Sequence, residues 1–182
     1  MVGITHAAAG ALVIGALSTL ADIAWARWIT TDRAAFGLLH GTLLCLGIGL
    51  YLGALRRRPV RGALAGAAIG LAAAVGYYAL ARVIGYAAMF VLWTALWAGF
   101  GLLEGRSLRE PQSGRGEALG RGALAALGSG LAFYYAISGI WMGQASGPPD
   151  YVYHLSCWTV AFLPGFLALL GERRRLHPAP RP

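Results

Sequence analysis

The sequence carries little charge, and none of its basic residues is a lysine. Its 182 residues include 15 basic and 7 acidic side chains, and every basic one is an arginine. Charged residues make up 12% of the chain, whereas an ordinary soluble domain has about 25%. Because 58% of the residues are hydrophobic, the chain has too few polar side chains to cover a globule in water, which indicates a membrane protein. The absence of a lysine amine excludes Schiff-base chemistry, including that of a retinal pigment.

Cysteines and catalytic motifs are also scarce. Cys45 and Cys157 both fall within apolar runs, where a cysteine usually acts as a small hydrophobic residue. No CxxC motif or Cys/His metal spacing is present. Ser129 lies between two glycines, but within a predicted helix and far from most of the histidines, so a serine nucleophile is not expected. The sequence therefore identifies no cofactor, and we expect a protein that is not an enzyme.

Six apolar segments are long enough to cross a bilayer as helices, which requires roughly 20 residues each. Glycines recur at every fourth residue in the third segment, at Gly62, Gly66 and Gly70, and small side chains let helix backbones approach closely in a membrane. The predicted fold is an all-α integral membrane protein with six transmembrane helices in one membrane domain, residues 1–182. The predicted spans are Thr5–Trp28, Ala34–Leu55, Arg61–Ile84, Tyr86–Leu103, Leu119–Met142 and Tyr151–Leu170.

Several motifs recur along the chain. The run Arg61–Ala65, Arg-Gly-Ala-Leu-Ala, returns as Arg121–Ala125, and a Tyr-Tyr-Ala triplet follows both copies. Gly10-Ala11-Leu12 resembles a weaker first copy. Two further recurrences lie on the alternate segments: Gly49-Leu50-x-x-Gly53 matches Gly101-Leu102-x-x-Gly105, and Trp93-Thr94 matches Trp158-Thr159.

These recurrences predict three parallel helical-hairpin repeats around an approximate pseudo-threefold axis, because a single hairpin cannot bury its own small-residue face. The hairpins would cover residues of about 5–57, 58–110 and 118–175. The alternative is a chance resemblance among helices rich in alanine, glycine and leucine. Aligning the copies places Asp22 opposite Ala74, and His40 opposite Leu92 and Cys157. We expect function where the copies differ.

The arginines lie in short flanks between apolar segments and not on one face, which argues against nucleic-acid binding. Most of them follow the second, fourth and sixth segments, whereas only Arg27, Arg33 and Arg82 lie on the other side. The positive-inside rule then places both termini in the cytoplasm, here of a bacterial-type inner membrane. A cytoplasmic loop at 104–120 would be flexible or would dock a membrane-protein partner, and the tail 176–182 would be extended.

Few polar residues lie within the predicted spans, and they gather near the outer ends. Ionisable groups inside a membrane usually face the interior of a helix bundle, so we expect a substrate-binding site at the extracytoplasmic mouth. An arginine there would receive an anionic group of a ligand. The predicted site residues are Asp22, His40, Tyr78, Arg82, Tyr135, His154 and Trp158.

Other interpretations of these residues stay open. Tryptophan and tyrosine are enriched where a membrane meets water, so the aromatic residues would then form an interfacial belt. Asp22 would pair with Arg27 or Arg82 as a structural ion pair. Alternatively, Asp22, His40 and His154 would bind a metal ion or relay protons, and the two histidines would ligate a haem.

Three functions follow from these alternatives. A protein that binds or transports a small molecule requires a central cavity lined by the polar and aromatic residues, and this is the hypothesis that we favour. An accessory subunit of a larger membrane complex requires no such cavity, but a broad apolar or small-residue face open to a partner. A membrane-embedded metal or haem protein, or an enzyme, requires Asp22, His40 and His154 to converge.

Overall fold

The computed structural model describes residues 2–28, 32–107, 112–142 and 148–170. Within these ranges the chain forms six α-helices and no strand, which confirms the all-α prediction. The helices are α1 (Val2–Trp28), α2 (Arg33–Leu55), α3 (Pro59–Ile84), α4 (Ala87–Ser107), α5 (Gln112–Met142) and α6 (Pro148–Leu170). Of these described helices, α1, α2, α3 and α6 are long and apolar enough to cross a membrane, and the apolar part of α4, Ala87–Leu103, is shorter.

Local sequence signals explain where the helices begin and end. The Asp32 carboxylate caps α2 by accepting a hydrogen bond from the Ala35 N–H at 2.9 Å. Pro59 occupies the first turn of α3, where its missing N–H is not needed. Gly85 ends α3 with a φ of 58°, a left-handed conformation that favours glycine. The short connections at 56–58 and 85–86 leave α2, α3 and α4 antiparallel to their neighbours in sequence.

The helices α4 and α5 extend into the stretch 104–120, which is predicted from the sequence to be a loop. The helix α4 continues to Ser107 and α5 begins at Gln112. The start of α5 contains no proline, and its residues Glu117, Ala118 and Leu119 have high helix propensity, so the helix extends beyond its apolar part. Residues 108–111 and the tail 176–182 lie outside the described residues, as do the side chains of 104–119 on which the predicted partner docking depends.

The six helices form a ring in which each packs against the next, and α6 packs back against α1. The helices α2 and α3 pack most extensively, whereas α1 and α2 pack least among neighbours. The closest pair therefore joins two different predicted hairpins, and α1 and α2 are not each other's closest partners. The physical reason is the position of the glycines that allow close approach, because these lie where α2 faces α3.

Small residues line the contact between α2 and α3. A Cβ atom on Gly49 would overlap the carbonyl oxygen of Gly62, and one on Gly66 would overlap the carbonyl oxygen of Cys45. The backbones are therefore in direct van der Waals contact, as the glycine spacing in α3 predicts. Gly70 continues the contact toward the other end of the helix, against the Cys45 side chain.

The interior of the ring is filled in the half that lies toward the N-terminus of α1. Trp97, Phe100, Phe162 and Phe166 have no exposed surface there. The rings of Trp97 and Phe166 meet edge to face with their centroids 5.5 Å apart, an arrangement that aromatic pairs favour. We call these four residues the aromatic core, and they leave the other half of the interior to be lined by different side chains.

We expect Gly66→Ala to destabilise the fold by about 1–3 kcal/mol or more, the range for overpacking, since its methyl group would displace a backbone carbonyl. Gly120→Ala is the matched control, because a Cβ atom there meets no neighbour and alanine gains about 1 kcal/mol of helix propensity over glycine. Thermal unfolding in detergent, followed by circular dichroism, measures both. Equal stability of the two variants would contradict the packing described for α2 and α3.

Candidate functional site

A central cavity of about 850 Å³ lies inside the ring. It occupies the half between the aromatic core and the end of the bundle that contains the C-terminus of α1. All six helices contribute to its wall. The helix α2 contributes residues 37, 40, 41, 44 and 45, and α3 contributes residues 70, 73, 74, 77 and 78. Spacings of three and four residues place each set on one face of its helix, so two full helix faces line the cavity.

Small residues explain why this part of the interior is empty. Gly37, Gly41, Gly70, Ala73 and Ala74 line the cavity from α2 and α3. They continue the small-residue contact between the two helices, and their side chains are too small to fill the cavity. The opposite wall consists of large rings from α4, α5 and α6. The cavity is therefore asymmetric, with a small-residue wall facing an aromatic one.

Asp22 of α1 provides the carboxylate of the cavity. Its Oδ2 atom accepts a hydrogen bond from the indole N–H of Trp158 at 2.7 Å and lies 3.0 Å from Nδ1 of His154. In the tautomer that carries its hydrogen on Nδ1, His154 donates to this carboxylate oxygen. The side chain of His154 is 9% exposed and that of Asp22 is 27% exposed. The carboxylate thus joins α1 to α6 and still presents surface to the cavity.

His40 approaches the same region from α2. Its side chain lines the cavity, and it lies close enough to Asp22 for the two groups to interact electrostatically. Its ring also lies 6.1 Å from that of Phe36, centroid to centroid. Within the described part of the chain, however, no group of three or more His, Cys, Asp or Glu side chains is arranged to hold a metal ion. The predicted ligand set of Asp22, His40 and His154 is therefore not assembled.

Buried hydrogen bonds fix the aromatic wall. Trp93 of α4 stacks on Phe133 of α5 with ring centroids 4.0 Å apart. The Trp93 indole N–H donates to the Ser129 hydroxyl at 2.9 Å, and this hydroxyl donates to the Ala161 carbonyl oxygen at 2.5 Å. One serine thereby links α4, α5 and α6 behind the cavity wall. This role of Ser129 could not be predicted from the sequence, because a serine between two glycines also fits an ordinary helix packing position.

The structure brings together five of the seven predicted site residues. Asp22, His40, Tyr78, His154 and Trp158 all line the central cavity. The tryptophans Trp93 and Trp158 are 8% and 5% exposed, so these two rings do not belong to an interfacial belt. Residues that line the cavity but were not predicted are mostly small or apolar, and they carry no chemical signal in a sequence. They include Gly37, Leu44, Ala73, Met89, Leu96 and Phe133.

Two predicted site residues lie elsewhere. Tyr135 is 73% exposed and packs on the ring of Tyr134, because Phe133 and Ile137 already occupy the interior face of α5. Arg82 is exposed and does not line the cavity. The predicted ion pair of Asp22 with an arginine is likewise not formed among the described residues, since Arg27 donates instead to the Tyr151 hydroxyl at 3.1 Å.

Comparison with known proteins gives no guide to the activity of this site. No protein-family model, no curated protein and no solved structure matches the chain.

We expect Ser129→Ala to destabilise the fold by about 1–3 kcal/mol, because it removes the partners of a buried indole N–H and a buried carbonyl. Ser156→Ala is the matched control. Ser156 is exposed and donates only to the Val152 carbonyl within its own helix, so its loss should change stability by less than about 0.5 kcal/mol. Denaturant or thermal unfolding in detergent measures the difference, and comparable effects in the two variants would argue against the interhelical role of Ser129.

Proposed function

We propose that this protein is a multi-pass integral membrane protein that binds or transports a small molecule in the central cavity. The observation that carries the proposal is the cavity itself, with the Asp22 carboxylate held at its wall by Trp158 and His154. The proposed location is a bacterial-type inner membrane, with both termini in the cytoplasm and the cavity in the extracytoplasmic half of the bundle.

An apolar exterior supports the membrane location. Large hydrophobic side chains are exposed on every helix, including α4 and α5. On α5, Leu124, Leu127 and Leu131 are 67%, 55% and 49% exposed, and their spacing forms a stripe along one outward face. On α4, Leu102 is 50% exposed. Exposed apolar patches of this extent mark contact with lipid or protein, and their presence around the whole ring favours lipid and six spans.

Equivalent glycine contacts support the proposed repeats. Gly49 packs against Gly62 between α2 and α3, and Gly101 packs against Gly122 between α4 and α5. These four glycines occupy corresponding places in the recurring motifs of the sequence. The shared contact supports a common origin of the pairs over a chance likeness of composition. The arrangement therefore favours three related hairpins whose adjoining helices, and not the helices within each hairpin, pack most closely.

The cavity favours ligand binding over the two alternatives. Its volume of about 850 Å³ falls within the range of about 300–1,000 Å³ for small-molecule sites, which are mainly apolar with a few convergent polar groups. An accessory subunit requires no such space, and the described residues do not assemble a metal site. Because the aromatic core closes the other half of the interior, passage through the bundle requires a rearrangement of that core.

The proposed topology is tested with reporter fusions in a bacterial host. We expect a fluorescent protein to fold at the C-terminus, and alkaline phosphatase to be active after Gly85 but inactive at the C-terminus, since arginine-rich flanks stay in the cytoplasm. Fusion after Arg57 is the matched control for Gly85, because the two sites lie at opposite ends of α3. Active phosphatase at the C-terminus, or equal activity at Gly85 and Arg57, would contradict the topology.

Ligand binding is tested by filling the cavity. We expect Ala73→Trp to abolish binding, because Ala73 lines the cavity, whereas Ala72→Trp should leave it unchanged because Ala72 is exposed on the same helix. Purified protein in nanodiscs is screened with small organic cations, neutral compounds and anions, using the fluorescence of the tryptophans in the wall. Absence of saturable binding, or equal binding in both variants, would overturn the proposed function.

A further inference from the structure

We infer that the central cavity selects an organic monovalent cation with an apolar, preferably aromatic, body. This inference rests on the proposed function and names its ligand class. It replaces the expectation that an arginine receives an anionic group, because neither Arg27 nor Arg82 lines the cavity. Three observations carry it: the charge of the lining, the geometry around Asp22 and the chemistry of the walls.

Among the described lining residues there is one carboxylate, and histidine is the only basic residue type. Asp22 is the one aspartate or glutamate among the described residues that line the cavity, and no arginine lines it. The chain also has no lysine that might serve instead. An anionic ligand would therefore approach a carboxylate in a largely apolar space without any fixed positive charge, whereas a cation would be attracted. Such electrostatic complementarity determines specificity more than total affinity.

The geometry leaves part of the carboxylate free. Both hydrogen bonds that Asp22 accepts from the described residues fall on Oδ2, and Oδ1 has no described partner. Both partners come from α6 and hold the carboxylate in place without an arginine. A ligand ammonium or other cationic group therefore has an accessible oxygen to meet on a side chain that is already positioned, which reduces the ordering that binding requires.

The walls suit the body of such a ligand. Aromatic side chains surround the cavity on several helices, and their faces attract a cation within about 6 Å of the ring centre. A bare metal ion would leave these walls without contact. The described residues also contain no cluster of three or more His, Cys, Asp or Glu side chains that could hold a metal ion. The apolar faces instead match an organic body, and the cavity has room for one of moderate size. The lining aromatics are Trp25, Tyr77, Tyr78, Trp93, Phe133 and Trp158.

The test compares ions of the same shape and opposite charge. Tetraphenylphosphonium and tetraphenylborate are titrated onto the protein in nanodiscs, with empty nanodiscs subtracted. Phenyltrimethylammonium and benzenesulfonate repeat the comparison with smaller ions. The titrations are made at about pH 8, above the ordinary imidazole pKa of about 6.5. We expect at least one cation to bind at least about tenfold more tightly than its matched anion, which corresponds to about 1.4 kcal/mol.

Two variants assign the selectivity to the carboxylate. Asp22→Asn should lower the affinity for the cation at least about tenfold and leave binding of neutral compounds unchanged, because the amide keeps the shape and loses the charge. Asp32→Asn is the matched control: it removes the same charge at the same end of the ring, and asparagine caps a helix as well as aspartate does. Its affinity for the cation should match that of the unmodified protein.

The outcomes separate this inference from the proposed function. Equal or tighter binding of the anions, or equal cation affinity in Asp22→Asn and Asp32→Asn, would overturn the ligand class. If Ala73→Trp still abolished binding in that case, the proposed function would stand. If binding of all probes survived in Ala73→Trp, both proposals would fall. The matched ions need no variant, so the inference stays testable even if Asp22→Asn fails to fold.

Discussion

The direct contact between the backbones of α2 and α3 is the constraint on which the rest of the structure depends. Helices that approach this closely need glycine wherever their backbones meet, and Gly49, Gly62 and Gly66 satisfy that need. The same choice of residues has a second effect farther along the two helices. Where the small-residue faces turn toward the interior, at Gly41 and Ala74 among others, no side chain fills the space. Close packing at one end and a cavity at the other thus have a common origin.

The carboxylate of Asp22 needs partners, because an ionisable group inside a helix bundle is costly without them. Its partners are an indole and an imidazole on α6, and together they close the ring between α1 and α6. For closure alone, an arginine partner or a neutral side chain would serve as well. The observed set keeps the carboxylate in position without an arginine partner. This combination supports the proposed role of Asp22 in ligand binding.

Much of the fold could be predicted from the sequence because composition and hydrophobic length act over whole segments. Within the described ranges, α2 and α3 end at the predicted residues, Leu55 and Ile84, and the rule that rare polar groups face inward identified Asp22, His40 and His154. Helix pairing could not be predicted in the same way. Pairing depends on which small-residue face of a helix meets its neighbour, and a helix rich in alanine and glycine has several such faces. Within 104–120, the described helices α4 and α5 extend beyond the predicted spans, because glycine and serine lower helix propensity without ending a helix that is already formed.

For the site, too, the types of residue could be predicted from the sequence, whereas the directions of their side chains could not. Tyr78 and Tyr135 occupy corresponding places in the recurring motif, yet the first lines the cavity and the second is exposed. A repeat predicts which residues correspond, but a small rotation of one helix about its axis changes the face on which a side chain lies. The packing of the large side chains on a helix determines that rotation, and in α5 the side chains of Phe133 and Ile137 fill the interior face. The sequence motif alone contains no information about such competition.

The proposed repeat nevertheless explains why the interior is empty on one side only. The alignment that places His40 opposite Leu92 and Cys157 places the next residues, Gly41, Trp93 and Trp158, in equivalent positions. Two of the copies therefore send an indole into the interior at this depth, and these rings form the aromatic wall. The first copy has a glycine there, and a Cβ atom on Gly41 would meet the Ala74 side chain of α3. The departure at Gly41 therefore allows the close approach of α2 to α3 and leaves a small-residue wall opposite the two indoles.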